Sequence, residues 1–434
     1  MRLLGALAAA LVLAPAAGAW TRLTPETLAN TAEPSVLRLA SGAELVGWRD
    51  DKAGAVRMLR LPGSDVQTLV SGYASVGTPR FVQLPDGSLA AYFGGAGGVS
   101  RLTSTDGGVT WSDPALTASL DTAEVTSAAV RSDGTALFIQ EGTGYVNLFQ
   151  GPFGAEALHN LFVPCCGYAG TLAVDSEGLA QVAFWSNATS PTGFVYEKLG
   201  VDGSPGGPPV SLSGAAETIP RDDRVPLVAD GLADTFLAWS PGYPTSAAVN
   251  VTTFRGGAAV RTVKVAAGGF GGPDPHMALA VDPSNRLWAV WTRRGAVWAA
   301  RSRTGGAGFG AAVRSGFPGG RQSYRLAALA TGAGLDAFVN LNGSGGGDAL
   351  WSEHLLPGLT IVVEKPGVRV LDDGFPVAGA SLRGGGHTAM TDVKGSAPLA
   401  GFPEHALVKV TKAGYAPTSF RPPHQSGRRR RSGA

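Results

Sequence analysis

The side chains best suited to chemistry stand just ahead of, or at the start of, a series of apolar strand-like runs. They are Arg80; Glu124 and Thr126; Tyr168; Glu217, Asp222, Asp223 and Arg224; Asp274 and His276; and Tyr324 with Arg325. A guanidinium presents a planar fork that matches a carboxylate. Arg80, Arg224 and Arg325, with His276, are therefore candidate ligand-binding residues for an acidic sugar or another anion. Tyr324, Glu217 and Asp222 form the candidate catalytic set, because a tyrosine paired with a glutamate beside an aspartate can cleave a glycoside through its phenolic oxygen. The plainer alternative is that loops are polar by default and any rim of loops carries some charge.

Other chemistries have less to build on. The six histidines (His159, His276, His354, His387, His405 and His424) are far apart and lack paired ligand spacing, so no metal is expected. There is no Gly-x-Ser-x-Gly elbow, phosphate loop or EF-hand spacing, and no cofactor is expected. Trp288, Trp291 and Trp298 lie in strands of one unit and read as core rather than as a sugar platform. Asn187, Asn250 and Asn342 sit in Asn-x-Ser/Thr sequons.

The elements that must position these residues repeat. An apolar strand, a tight turn with Gly or Asn, and an alternating apolar strand recur seven times. The copies end at Trp48, Phe93, Gln140, Trp185, Trp239, Trp291 and Asn340, between 45 and 54 residues apart. Each copy has the pattern of a β-hairpin, as in RFVQLPDGSLAAYF, and a third apolar run usually follows. Three or four short strands at such a period predict a β-propeller, all-β, with seven blades favoured and six possible. The last unit runs out of chain near Glu353, whereas an extra apolar stretch, Trp20 to Leu23, precedes the first hairpin. The N-terminal segment is expected to supply the missing outer strand of the last blade; the alternative is a loose tail over 20–32.

One motif points to a family. STDGGVTW, with Ser104, Asp106, Gly108, Thr110 and Trp111 at the fixed positions, resembles the Asp box of the sialidase-like propellers, and SRTGGAGF (302–309) is a degenerate copy. The short Asp106 carboxylate can accept backbone N–H bonds across its own turn, so the motif reads as structural. The resemblance implies the fold over residues 33–356 and an extracellular, often carbohydrate-related setting, and the family holds binders as well as enzymes. Its sialidases grip the sugar carboxylate with three arginines, the first usually in Arg-Ile-Pro. That tripeptide is absent here; the nearest arginine at a comparable strand start is Arg80 in Thr-Pro-Arg-Phe, while Ile219-Pro220-Arg221 has the letters in another order.

From about Leu359 the strands shorten. Pro376 to Ala380, Thr391-Asp392 with Gly395, Val408 to Val410 and Gly414-Tyr415 resemble the carboxypeptidase-regulatory-like β-sandwich. In that family the module is a spacer or interaction domain. The chain thus divides into a signal peptide (1–19), a propeller (20–356), a small β-sandwich (357–421) and a basic tail (422–434).

The signal peptide rests on Arg2, the apolar run from Leu3 and the small-residue site Ala17-Gly18-Ala19, too short to span a membrane. With no other long apolar stretch, the mature protein is expected to be secreted or periplasmic, of bacterial type and monomeric. Cys165 and Cys166 either close a strained vicinal disulfide or remain two thiols.

Only 16% of the 434 residues are charged and the net charge is +2, which argues against a nucleic-acid partner. With Arg2 and Arg428 to Arg431 set aside, 30 basic residues face 33 acidic ones, so the body is slightly acidic. The function expected is recognition of a glycan or another cell-surface or extracellular ligand by the rim loops. A sialidase-type glycosidase is the alternative, and a structural envelope component the third reading.

Overall fold

The computed structural model describes residues 20–25, 33–122, 124–142, 145–159, 167–188, 193–212, 224–242, 246–268, 270, 275–342, 347–364 and 366–422. Leu120 to Thr122 and Tyr324 are described by backbone alone. The expected signal peptide, Cys165 with Cys166, and Arg428 to Arg431 lie outside the described residues. No helix among them is long and apolar enough to cross a membrane.

The alternating runs pair as the hairpin pattern dictates, and among the described residues they give seven successive antiparallel sheets, six of four strands and one of three. Their innermost strands are Ser35–Arg38, Arg80–Gln83, Glu124–Val130, Gly167–Val174, Leu227–Ala229, Met277–Val281 and Ser323–Ala330. Each of these touches the next, and the seventh touches the first, so the strands close a circle. The fold is a β-propeller.

Apolar residues on both faces of each sheet follow from this arrangement, because every face meets a neighbouring sheet. Between the first and second sheets lie Leu45, Met58, Phe81 and Phe93. Trp288 and Val290 of the sixth pack on Leu326 and Val339 of the seventh. Trp291 is also buried and stacks on Trp298 with ring centres 6.5 Å apart, in keeping with a core role. Full burial of one such side chain is worth about 1.5–3 kcal/mol.

The circle closes with help from the N-terminal segment. Thr21 and Arg22 pair with Ser352 and Trp351 as the outer strand of the seventh sheet. Leu23 N donates to Leu350 O at 2.8 Å, and Leu350 N donates to Thr24 Oγ1 at 2.9 Å. Val46 and Trp48 of the first sheet then pack on Ala327 and Phe338 of the seventh.

The second sheet departs from the simple hairpin pattern. Leu89–Ser104 is one continuous 16-residue strand. The glycines in its middle allow close backbone approach, and Gly77 N donates to Gly94 O at 2.8 Å while Val76 bridges Gly95.

Beyond Leu359 two further four-stranded sheets form. They share one core, in which Val368 and Val370 of one sheet meet Leu382, Val408 and Val410 of the other.

Candidate functional site

The innermost strands enclose one space, lined both by residues at or just ahead of strand starts and by residues further along. It forms a cavity of about 210 Å³, whose lining includes Glu33, Arg80, Ser127, Thr171, Arg224 and Met277.

Arg80 is the first residue of its strand and is 96% buried, its relative exposure being 4%. Its Nε donates to Val125 O at 3.1 Å. Its Nη1 is buried with no hydrogen-bond partner. Burial, then the positive charge of Arg224, push its pKa down to about 9, against the opposite pull of Glu33 and Glu124. The side chain is still cationic at neutral pH, and a buried cation with an unused N–H is costly until an acceptor reaches it.

Arg224 is differently placed. Its Nε donates to Glu33 Oε1 at 2.8 Å, its Nη2 contacts the same oxygen, and its backbone N donates to Glu33 Oε2 at 3.2 Å. Its charge is therefore met within the protein. Arg49, at the outer end of the strand that follows the first inner strand, lies 3.6 Å from Glu124. The mouth thus combines Arg49, Arg80 and Arg224 with Glu33 and Glu124.

Arg325 and Tyr324 lie at the start of the seventh inner strand, and His276 directly precedes the sixth. Arg325 is buried in Ser323–Ala330, opposite Asn340. The register slips between Ser323 and Arg325, so Tyr324 falls at a strand irregularity at the channel mouth. His276 is held through its backbone, its N donating to Thr292 Oγ1 at 3.1 Å and its O accepting from Thr292 N at 3.0 Å. Glu217, Asp222, Asp223 and Asp274 lie outside the described residues. Arg80 and Arg224 are thus brought into one cavity, while of the catalytic set Glu217 and Asp222 lie outside the described residues and Tyr324 is described by backbone alone.

Glu33 and Arg49 were missed in the sequence. Glu33 was within reach of the same rule that found Arg80, because it precedes the first inner strand as the others precede theirs. Arg49 lies near the end of the second strand, Glu44–Asp50, and only the antiparallel return of the hairpin carries it to this rim.

The Ser104–Trp111 turn is built on Asp106. Its Oδ1 accepts from Ser104 Oγ at 2.8 Å, Val109 N at 3.0 Å and Thr110 N at 2.9 Å, and its Oδ2 from Thr110 Oγ1 at 2.5 Å. The Thr110 hydroxyl, its backbone N–H and the Ser104 hydroxyl hold this carboxyl well below the usual range. Trp111 packs with its ring centre 5.9 Å from that of Phe81.

No protein-family model matches the chain, and no curated protein matches it in sequence. Solved structures are similar in fold. One is the intramolecular trans-sialidase from Ruminococcus gnavus, at 7% identity and a TM-score of 0.47, covering 64% of this chain and 94% of that one. Another is a quinonprotein alcohol dehydrogenase-like protein from Bacteroides thetaiotaomicron, at 11% identity and a TM-score of 0.44, covering 67% of each chain. A fungal alcohol oxidase of the AA5 family, solved with copper, covers 94% of this chain and 99% of that one at 11% identity and a TM-score of 0.45. No grouping of three or more His, Cys, Asp or Glu side chains that could hold a metal ion occurs among the described residues.

Proposed function

We propose that this is an exported propeller protein that recognises a glycan, or another extracellular or cell-surface ligand, through an acidic group received at the channel mouth, without catalysis. The observation that carries the reading is the unpaired Nη1 of Arg80, buried in the cavity wall. A carboxylate reaching it would gain a charge-assisted hydrogen bond in a site already stripped of much of its water. Arg224, held by Glu33, serves this site by shaping the wall. We read Ser104–Trp111 as an Asp box that braces the second sheet, with no part in ligand contact. The leader over 1–19 supports export.

The rival is a sialidase-type glycosidase, favoured by the position of Tyr324 at a strand irregularity beside Arg325. One experiment separates the two. Wild-type protein and Arg80→Gln are applied to an array of acidic and neutral glycans, and both are incubated with a fluorogenic sialoside. The binding reading expects retention of wild type on acidic glycans, loss in Arg80→Gln, and no release of fluorophore. Steady release by the pure wild type would overturn the non-catalytic reading, and equal retention of both proteins would overturn the site.

A further inference from the structure

The sixth sheet carries a turn, Ser302–Phe309, on the plan of Ser104–Trp111 but with Thr304 in place of Asp106, Gly308 for Thr110 and Phe309 for Trp111. Part of the hydrogen bonding survives. Ser302 Oγ accepts from Gly306 N at 3.0 Å, as Ser104 Oγ accepts from Gly108 N at 2.9 Å. Thr304 Oγ1 accepts from Gly308 N at 3.1 Å, the bond that Asp106 takes from Thr110 N. What the turn lacks is a carboxylate.

A carboxylate arrives from 69 residues away. Asp373 belongs to the turn joining Gly367–Asp372 to Phe375–Pro376 in the C-terminal pair of sheets. Its Oδ2 accepts from Thr304 Oγ1 at 3.1 Å and from Arg303 N at 2.7 Å. Asp373 and Gly374 have φ of +49° and +80°, a conformation that Asp and Gly tolerate in a tight hairpin turn. The propeller side is cut to fit. A Cβ at Gly308 would stand 2.9 Å from Asp373 Oδ1, so a threonine there would press on the carboxylate where it enters the turn.

The neighbouring contacts reinforce the seat. Asp372 is 1% exposed and pairs with Arg301, which is 4% exposed; it also accepts from Tyr415 Oη at 3.1 Å. The Arg303 guanidinium lies 4.6 Å from the centre of the Phe375 ring. The connector is pinned on both sides. Ala416 N donates to Pro357 O at 3.0 Å, and a Cβ at Gly358 would meet Ala311 O at 2.3 Å.

A turn that had merely decayed would have no reason to carry glycine where an acidic turn of another domain enters. We propose that Ser302–Phe309 is the docking seat of the C-terminal module, completed by Asp373 in place of its own missing aspartate, so that the module is carried as a fixed arm of the propeller and not as a loose spacer.

The test uses the full chain and two variants. Thr304→Asp gives the turn its own carboxylate and sets it against Asp373 and Asp372. Thr304→Asp/Asp373→Asn removes the repulsion from residue 373 and offers a side-chain amide to the new carboxylate. The readouts are hydrogen exchange at the Arg303 amide and the radius of gyration from small-angle scattering. The proposal expects exchange roughly tenfold faster and a larger radius in the single variant, with both returning towards wild type in the double variant. An unchanged single variant would overturn it. So would a single-variant effect that the second substitution does not reverse, since that would mark damage to the sixth sheet and not loss of docking.

Discussion

Replacing Glu44 by Gln should flatten the pH dependence of stability between about pH 5 and 8. Glu44 sits where the first and seventh sheets meet. Arg38 contacts it and also donates to Asp336 Oδ2 at 2.9 Å, and His354 Nδ1 lies 2.7 Å from Asp336 Oδ1. Burial, then the nearby Asp336 carboxylate, push Glu44 up to about 7 from 4.5, with Arg38 opposing. A carboxyl with a raised pKa binds its proton more tightly in the folded chain. Its contribution is therefore full below 4.5 and is lost as pH rises towards 7. At about 1.4 kcal/mol per unit, the loss is at most about 3.5 kcal/mol.

His354 adds to the trend. Its pKa is raised, chiefly by its hydrogen bond to Asp336, so its stabilisation holds at low pH and fades as pH rises through its folded pKa. Asp336 is lowered, with hydrogen bonds from His354 and Glu44 and the charges of His354 and Arg38 outweighing its burial. Its contribution is present above the ordinary carboxylate pKa and is lost in acid. The assay is urea unfolding at intervals from pH 5 to 8 for wild type, Glu44→Gln and His354→Gln. Wild type should lose stability with rising pH, and Glu44→Gln should lose much less. Equal slopes for wild type and Glu44→Gln would refute the assignment.

Two further substitutions probe the same physics elsewhere. Glu197 is 2% exposed, both of its carboxylate oxygens lack a hydrogen-bond partner, and burial pushes it up to about 8. Glu197→Gln should raise the unfolding midpoint at pH 9, where the native glutamate is forced to ionise, and leave it nearly unchanged at pH 5; the reverse order would contradict the burial argument. Asp106→Ala removes the acceptor for the Val109 and Thr110 amides and should lower the melting temperature while leaving ligand affinity intact, as read by calorimetry.

The repeat was legible because a hairpin is a local object. Its alternation and its Asp-Gly or Asn turns lie within about 14 residues, so seven copies could be counted and their starts aligned. That alignment put Arg80 and Arg224 on one rim, where the cavity receives both. The pairing of Arg224 with Glu33 was not legible, since 191 residues separate them and nothing in either neighbourhood signals the other. The same holds for the Asp372-Asp373-Gly374 turn. Alone it reads as an ordinary hairpin turn, and its meaning depends on the glycine and threonine that the sixth sheet sets against it. Likewise, continuity through Gly94 to Gly98 depends on partners outside the hairpin, and alternation cannot register it.

The proposed role of Arg80 is to anchor an acidic ligand. Calorimetric titration of wild type and Arg80→Gln with glucuronate, with glucose as the neutral control, tests it most directly. Wild type should bind glucuronate, Arg80→Gln should bind it about tenfold to a hundredfold more weakly, as for loss of one charge-assisted hydrogen bond, and glucose should give no heat. Equal affinity in the two proteins, or binding of glucose as tight as that of glucuronate, would contradict it.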